Sequence, residues 1–324
     1  MNTLRLTGVQ LRYVNKAFWR NPASAFFTFV FPLMFLVIFT SLLGHFTITI
    51  GSKTVNTSTY YVASMGAFAA ISACFNNIAM AITFQREELV LKRVHGTPLP
   101  AAAYLGARVL HAVLIAVVLV AITAVFGHFA YQATLPTGLP LLRFIIMLLV
   151  GSAAFCALGL ALSGAIPNAD ATAPIVNAVI LPVEFLSGIF IAFSNTTPSW
   201  ILWIARIFPV RHFAVGMQSA FLGTPFSWTD VLIVAAWGVG GMLIAVRYFH
   251  WDPRPSLGGL FEAGALAVGR PRSLWPRRAL PPHDRPAAAP RPHRGRPMAF
   301  TWRITRLSAS NHCWSGHDHE AFFV

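Results

Sequence analysis

Apolar positions in this chain fall in long, nearly unbroken runs, not in the spaced patterns of a soluble fold. Six runs, at about 24–44, 60–84, 104–129, 141–165, 171–193 and 229–249, each approach the roughly 20 residues a helix needs to cross a bilayer core. Pro32 and Pro182 fall inside two of them, which membrane helices tolerate when neighbours satisfy the freed backbone groups. Residues 4–20, ahead of the first run, are too polar to span. Wound at about 100° per residue, they place Leu4, Leu11, Val14 and Phe18 on one face. Arg5, Arg12, Lys16 and Arg20 lie nearly opposite, the pattern of a helix resting along lipid headgroups. Between the fifth and sixth runs, Trp200, Trp203, Phe208 and Phe213 are interleaved with Arg206 and Arg211. That stretch predicts a pair of short interfacial or re-entrant helices with aromatics at headgroup level. The pattern therefore predicts an all-α polytopic membrane protein. An N-terminal amphipathic interfacial helix occupies 1–23, six transmembrane helices occupy 24–253, and short external re-entrant helices precede the last span.

Composition agrees. Of 324 residues 56% are hydrophobic and only 10% charged, against roughly 25% charged in a soluble domain, too few to cover a soluble core. The charges spread over the first twenty residues argue against a cleavable signal peptide. Three cysteines, Cys74, Cys156 and Cys313, are too few and too apolar in setting for a disulfide framework. Lys and Arg outnumber Asp and Glu by 24 to 10, giving a net charge of +14. With the N-terminus inside, Arg5, Arg12, Lys16, Arg20, Arg86, Lys92, Arg93, Arg108 and Arg247 are cytoplasmic, while Lys53, Arg143, Arg206 and Arg211 are external. Nine against four predicts that both ends of the membrane domain are cytoplasmic. Residues 254–324 hold 11 Arg, 9 Pro and 10 Ala without hydrophobic periodicity, the composition of a disordered basic tail. With 11 basic and 4 acidic residues, the tail supplies +7 of the net charge. The basic excess thus marks the inner side of the membrane and predicts no nucleic-acid partner. No internal repeat is visible.

Candidate chemistry is sparse. Gly51-Ser52-Lys53-Thr54 ends like a phosphate-binding loop but lacks the spaced glycine. The chain is therefore expected to carry no ATPase motif, no catalytic residues and no cofactor. Ser187-Gly188 and Ser163-Gly164 lack the partner His of an intramembrane serine protease, and Glu87-Glu88 lacks the His that would complete a metalloprotease site. His312, Cys313, His317, Asp318 and His319 have metal-ligand chemistry but no scaffold, so no metal site is expected. Asn76, Asn77 and Asn177 are intramembrane amides of the kind that hold helices together. Glu184, midway along the fifth run, is the intramembrane ionisable candidate, with a transport or gating role or a structural pairing with Arg108 both open.

The most informative segment is the loop after the second run, QREELVLKRVHGTPLPAAAYLGARVL. A short charged helix, a Gly-Thr-Pro break and a span opening with Tyr104 and Arg108 resemble the permease subunits of type-two ABC transporters. In that family the loop reads roughly Arg-Glu-x-Gly-x-Leu-(Lys/Arg)-Arg-Leu and then Thr-Pro-Leu. Arg86, Glu87, Leu91, Lys92, Arg93, Thr97, Pro98 and Leu99 match it, while Leu89 stands where the family has Gly and Val94 where it has Leu. The entry to the first span resembles the family at Arg20, Asn21, Pro22 and Pro32, and so does the closing RYFHWDPR. FLSGIF and the segment after it also resemble the family, at Ser187, Gly188, Pro198, Pro209 and His212. The likeness covers residues 4–254, so the basic tail lies outside it, either as an extension attracted to anionic lipid or as sequence past the family's usual end.

The resemblance implies half of an exporter in a bacterial inner or plasma membrane, of the drug, antibiotic, lipid or polysaccharide class. A second permease, identical or related, would complete the channel, and two ATP-binding subunits would dock beneath, with membrane lipids around. The segment 85–97 would be the ATPase-coupling loop, with Arg86, Glu87, Glu88, Leu91, Lys92, Arg93, Thr97 and Pro98 as its residues. Its charge pairs would fix register on the partner while Leu89, Leu91 and Val94 anchor it. Pro198, Arg206, Pro209, Arg211 and His212 would mark the external re-entrant region. A hydrophobic or amphipathic cargo, drug-like or antibiotic-like, is expected; a gradient-driven transporter or channel working through Glu184 is the alternative.

Overall fold

The computed structural model describes residues 3–44, 46–50, 53–97, 99–193 and 197–248. Pro98 and the predicted basic tail over 254–324 lie outside the described residues. In chain order the elements are α1 (Thr3–Trp19), α2 (Pro22–Leu43), a hairpin of β1 (Thr47–Ile50) and β2 (Lys53–Asn56), and α3 (Thr57–Ile71). A π-helical turn over Ser72–Asn76 continues α3 into α4 (Asn77–Glu87). Then come α5 (Val90–His95), α6 (Ala101–Tyr131), α7 (Leu139–Ala165), α8 (Thr172–Leu186), α9 (Ser199–Ile207), α10 (Pro209–Leu222) and α11 (Trp228–Tyr248). The antiparallel hairpin pairs Thr47 with Asn56 and Ile50 with Lys53, and it caps the turn from α2 to α3.

The chain is an all-α polytopic membrane protein, with five spans of full length and one shorter apolar helix among the described residues. Among the described residues five helical stretches are long and apolar enough to cross: Pro22–Leu43, Thr57–Glu87, Ala101–Tyr131, Leu139–Ala165 and Trp228–Arg247. Each lies within a few residues of an apolar run. The expected fifth span, 171–193, instead contains a 15-residue helix, Thr172–Leu186, about 22 Å long against a core of about 30 Å. The apolar run goes on, but the helix does not. Gly188 takes φ +85, and the Ser187 hydroxyl donates to the Glu184 carbonyl at 2.6 Å, closing the last turn. A left-handed residue at that place ends a helix, and only glycine adopts it without cost.

Hydrogen bonds between distant elements define two ends of the bundle. At one, Arg86 at the end of α4 reaches the end of α7, and Glu87 accepts from the Ala169 amide before α8. At the other, Ser41 of α2 meets Tyr131 of α6 at 3.4 Å, and Ser58 donates to the Gly44 carbonyl. α10 runs antiparallel to α7, Phe221 meeting Phe144 and Phe213 meeting Phe155 at ring separations of 5.4 and 5.2 Å. With α9 it forms a re-entrant helical pair, as the interrupted segment predicts; α10 is largely buried, while Trp200 and Trp203 of α9 are exposed.

Two glycines let α11 lie against α7. A Cβ on Gly238 would stand 2.8 Å from the Ala154 Cα, and one on Gly241 would stand 2.9 Å from the Leu158 side chain. Without a hydrophobic force between helices in lipid, such close backbone approach supplies the packing energy. α3 is nearly all buried, which suits its run of Ala, Ser and Gly. α1 packs on α2 and α6 through Val14 and Phe18, the Phe18 ring lying 5.4 Å from His111 and 6.4 Å from Phe29. Its basic stripe, Arg5, Arg12, Lys16 and Arg20, is exposed, and Leu4, placed by periodicity on the apolar face, is also exposed (86%).

Candidate functional site

The loop between α4 and α6 is built around one buried cation. α4 brings Arg86, only 3% exposed, under the C-terminus of α7. There Nη1 donates to the Ser163 carbonyl at 3.0 Å and Nη2 to the Ile166 carbonyl at 2.5 Å. The last carbonyls of a helix have no partner within it, and a guanidinium answers both their hydrogen bonding and the negative end of the helix dipole. Next to it the Glu87 carboxylate accepts from the Ala169 amide, so two adjacent residues tie α4 to the α7–α8 connection. Arg86, matched to the family as part of the coupling loop, thus faces its own bundle.

Leu89 then takes φ 60 and ψ 14, reversing the chain into α5. This is the position where the resemblance expects Gly, and the backbone adopts the left-handed turn despite the Cβ. Leu91 is fully buried in this chain's own core, which corrects its expected role as an anchor on a partner. Leu89, 42% exposed, and Val94, half-buried, remain as apolar surface. Glu88, Lys92 and Arg93 are exposed around them, and Thr97 closes α5 by donating to the Val94 carbonyl at 2.6 Å. The Tyr104 hydroxyl donates to Gln85 Oε1, and the Arg108 guanidinium lies 5.5 Å from the Tyr104 ring centre.

At the opposite end, the broken C-terminus of α8 is buried, so its carbonyls need donors from elsewhere. They get four. Arg211 Nη1 donates to the Ser187 carbonyl at 3.1 Å, and the Tyr60 hydroxyl to Gly188. Gln218 Nε2 donates to Gly188 at 3.4 Å and to Ser64 Oγ at 2.8 Å. The Tyr61 hydroxyl donates to Phe190 at 3.3 Å. FLSGIF is therefore held by α3 and α10 together. Of the donors only Arg211 was legible as a candidate; two adjacent tyrosines opening an apolar run and a lone Gln in α10 were the unread signal.

The remaining external candidates fall around α9 and α10. Pro198 caps α9 and Pro209 opens α10 at its first turn, where a missing N–H costs nothing. Arg206 lies 5.9 Å from the Trp203 ring centre, and Arg211 lies 4.3 Å from that of Phe193. His212 bridges elements, Nδ1 to Asp230 Oδ1 of α11 at 2.6 Å and Nε2 to the Arg206 carbonyl at 2.9 Å. Glu184 is 1% exposed, and neither carboxyl oxygen has a hydrogen-bond partner among the described residues. A pairing with Arg108, one of the two readings left open, is not made, because α8 packs mainly on α4, α9 and α10.

Five helices of spanning length, one short apolar helix, a pair of short helices and a tethered charged loop make this a polytopic helical membrane protein. The sequence pattern of the ABC-2 type transporter family matches residues 6–222, two thirds of the chain. The chain belongs to that family. It is 25% identical over 223 residues to a protein of Porphyra purpurea provisionally named transport permease ycf38, covering 68% of this chain and 75% of that one. It is also 28% identical over 92 residues to ABC transporter G family member 1 of Dictyostelium discoideum, covering 28% of this chain and 12% of that much longer one. Membership implies association with ABC ATP-binding subunits.

Proposed function

We propose that this permease is the membrane half of an ATP-driven exporter, carries no catalytic activity of its own, and is coupled through the loop 85–97. Two ATP-binding subunits dock at the end bearing α1 and α5, a second permease completes the pathway, and both ends of the membrane domain face the cytoplasm. The nine-to-four excess of basic residues on that side supports the orientation. The observation that carries the coupling role is the Arg86 tether. A partner pushing on α5 pushes on a segment bonded to the ends of both α4 and α7, so its movement passes to two spans instead of bending a loose loop. Glu88, Lys92 and Arg93 offer charges to fix register, and Leu89 an exposed apolar contact.

The cargo is a hydrophobic or amphipathic compound, drug-like or antibiotic-like, in a bacterial cell membrane, with a lipid or polysaccharide precursor as the other cargo class. The support is the scarcity of charge along the helices. Glu184 favours a second reading, gradient-driven transport, since a carboxyl buried without a partner is a costly feature that membrane proteins keep for ion pathways.

One experiment separates them. The permease is reconstituted in proteoliposomes with its ATP-binding subunits, and export and ATPase stimulation are measured for Glu88→Lys with Arg93→Glu. Export is expected to fall about tenfold or more, the loss of about 1.4 kcal/mol of coupling, with membrane insertion intact. Unchanged export would remove the coupling assignment. Export that persists without ATP-binding subunits, collapses with the proton gradient and is lost in Glu184→Gln would establish the second reading.

A further inference from the structure

Where α6 meets α4, one cluster of side chains has donors left over and no acceptor. The Tyr104 hydroxyl donates to Gln85 Oε1, which occupies the side-chain oxygen of that amide and leaves its Nε2 to donate elsewhere. Tyr104 is nearly sealed, and the Arg108 guanidinium lies 5.5 Å from its ring centre. One turn further along α6, His111 is 6% exposed and close enough to Arg108 for their charges to act on each other. Its ring lies 5.4 Å from that of Phe18 of α1, and neither ring nitrogen hydrogen-bonds to a described residue. Arg108, half-buried, makes no hydrogen bond either. Its Nε is sealed without an acceptor, while its two Nη groups keep accessible surface.

An arginine side chain does not give up its proton in proteins, so the cost of holding one inside a span has to be met by an anion. Among the described residues five carboxylates could supply it, and none does. Glu87 accepts from the Ala169 amide, Asp230 pairs with His212, and Glu184 is sealed without a partner. Glu88 and Asp170 lie exposed in the connections after α4 and α7 and form no ion pair with Arg108. The depth of the cluster narrows the choice of anion. Tyr104 and Arg108 follow Ala101, the first residue of α6, by about 5 and 10 Å of helix rise, and a helical side chain leans back toward the N-terminus. That lean carries the guanidinium toward the level of lipid phosphates. The neighbouring α1, packed on α6, exposes Arg5, Arg12, Lys16 and Arg20, and such a basic edge concentrates anionic headgroups.

We infer that Gln85, Arg108 and His111 form a binding site for the phosphate of an anionic lipid, at the junction of α4 and α6. The two Nη groups of Arg108 offer a fork that fits a phosphate through two oxygens at once. Gln85 Nε2 and a ring N–H of His111 serve the remaining oxygens. Tyr104 positions the site, holding the amide with its hydroxyl and backing the guanidinium with its ring. Donors without acceptors select a ligand that brings several acceptors and a negative charge, which excludes cations and neutral hydroxyl compounds. The site goes beyond the exporter reading and does not rest on it, since the lipid is bound whatever the permease transports.

The test uses the full chain in detergent, without ATP-binding subunits, and counts bound lipid by native mass spectrometry. The probes are dioleoyl phosphatidylglycerol and dioleoyl phosphatidylcholine, which share their chains and differ in net headgroup charge. One phosphatidylglycerol is expected to bind each chain about tenfold more tightly than phosphatidylcholine does. Arg108→Gln should lower its affinity about tenfold to a hundredfold, the value of hydrogen bonds from a charged donor. Gln85→Glu is the second variant, because it keeps the shape of the side chain and the bond from Tyr104. It brings the missing carboxylate to Arg108, so phosphatidylglycerol binding should fall as steeply while the lipid-free melting midpoint stays the same or rises. Arg12→Gln removes the same charge from an exposed position on α1 and should change binding by less than about threefold. Millimolar inorganic phosphate should leave the lipid in place; displacement by it would keep the anion site and make free phosphate its ligand. Equal binding of the two lipids, or phosphatidylglycerol binding that either Arg108→Gln or Gln85→Glu leaves intact, would overturn the site.

Discussion

Arg86 shows how one side chain can settle the geometry of a loop. Its charge matched a family motif, and a charged loop residue suggests contact with a partner, yet it is spent inside the chain on two carbonyls at the end of α7. Hydrogen bonds from a charged donor contribute roughly 1.5–3 kcal/mol, and unpaired buried carbonyls add to the loss. Arg86→Leu is therefore expected to destabilise the permease by about 3–4 kcal/mol, seen as a lowered thermal unfolding midpoint in detergent. Arg86→Lys should recover less than half, since an ammonium cannot present two donors in a fork. Full stability in Arg86→Leu would show that the tether carries no energy. The motif was legible at this scale, but its direction was not: sequence spacing says which residues are charged, not which carbonyls fold back to meet them. Leu91 misled for the same reason, as its apolar character is equally consistent with its own core and with a partner's surface.

Elements were legible where length decided them. Five apolar runs became five long helices because a membrane helix must satisfy its whole backbone internally and has little freedom to stop. The length of α8 was not legible because its stop depends on donors from other elements. Apolarity continues to Phe193, but the helix ends where Tyr60, Gln218 and Arg211 can collect the exposed carbonyls. No local reading of residues 171–193 contains those three donors. The burial of α10 escaped for a related reason, since its small and aromatic residues find neighbours only once α3, α7 and α11 surround it. The α7–α11 contact is the most sensitive of these packings. Gly238→Leu would drive a side chain into the Ala154 backbone, with an expected cost of about 3 kcal/mol from overpacking. Gly240→Leu, where a Cβ meets open space, should be nearly neutral on the same melting curve. Equal effects of the two would show that close approach of these helices is unimportant.

Across the whole molecule, the fold separates two tasks by position. One end holds the basic stripe of α1, the tethered loop and α5, while the other holds the hairpin, the re-entrant pair and the collected carbonyls of α8. Between them runs the α3–α4 element, continuous from Tyr60 at one end to Arg86 at the other. Its π-helical turn, Ser72–Asn76, sets how these two ends face each other. Taking one residue out of a helix rotates everything beyond by about 100° and draws it in by about 1.5 Å. The turn thus works as a phase setting between two cogs on one shaft, matching the Tyr60 contact above to the Arg86 contact below. Deleting Ala73 takes out the extra residue of the turn and should leave both cogs in phase, whereas deleting Ala81 from the plain α-helix below it should strand one cog against the wrong tooth. The expected result of the Ala81 deletion is an inserted permease with Tyr60 still docked, Arg86 swung off α7, and protease sensitivity confined to residues 86–97. An Ala81 deletion that resists protease as well as the parent does would show that the two ends do not share a fixed phase.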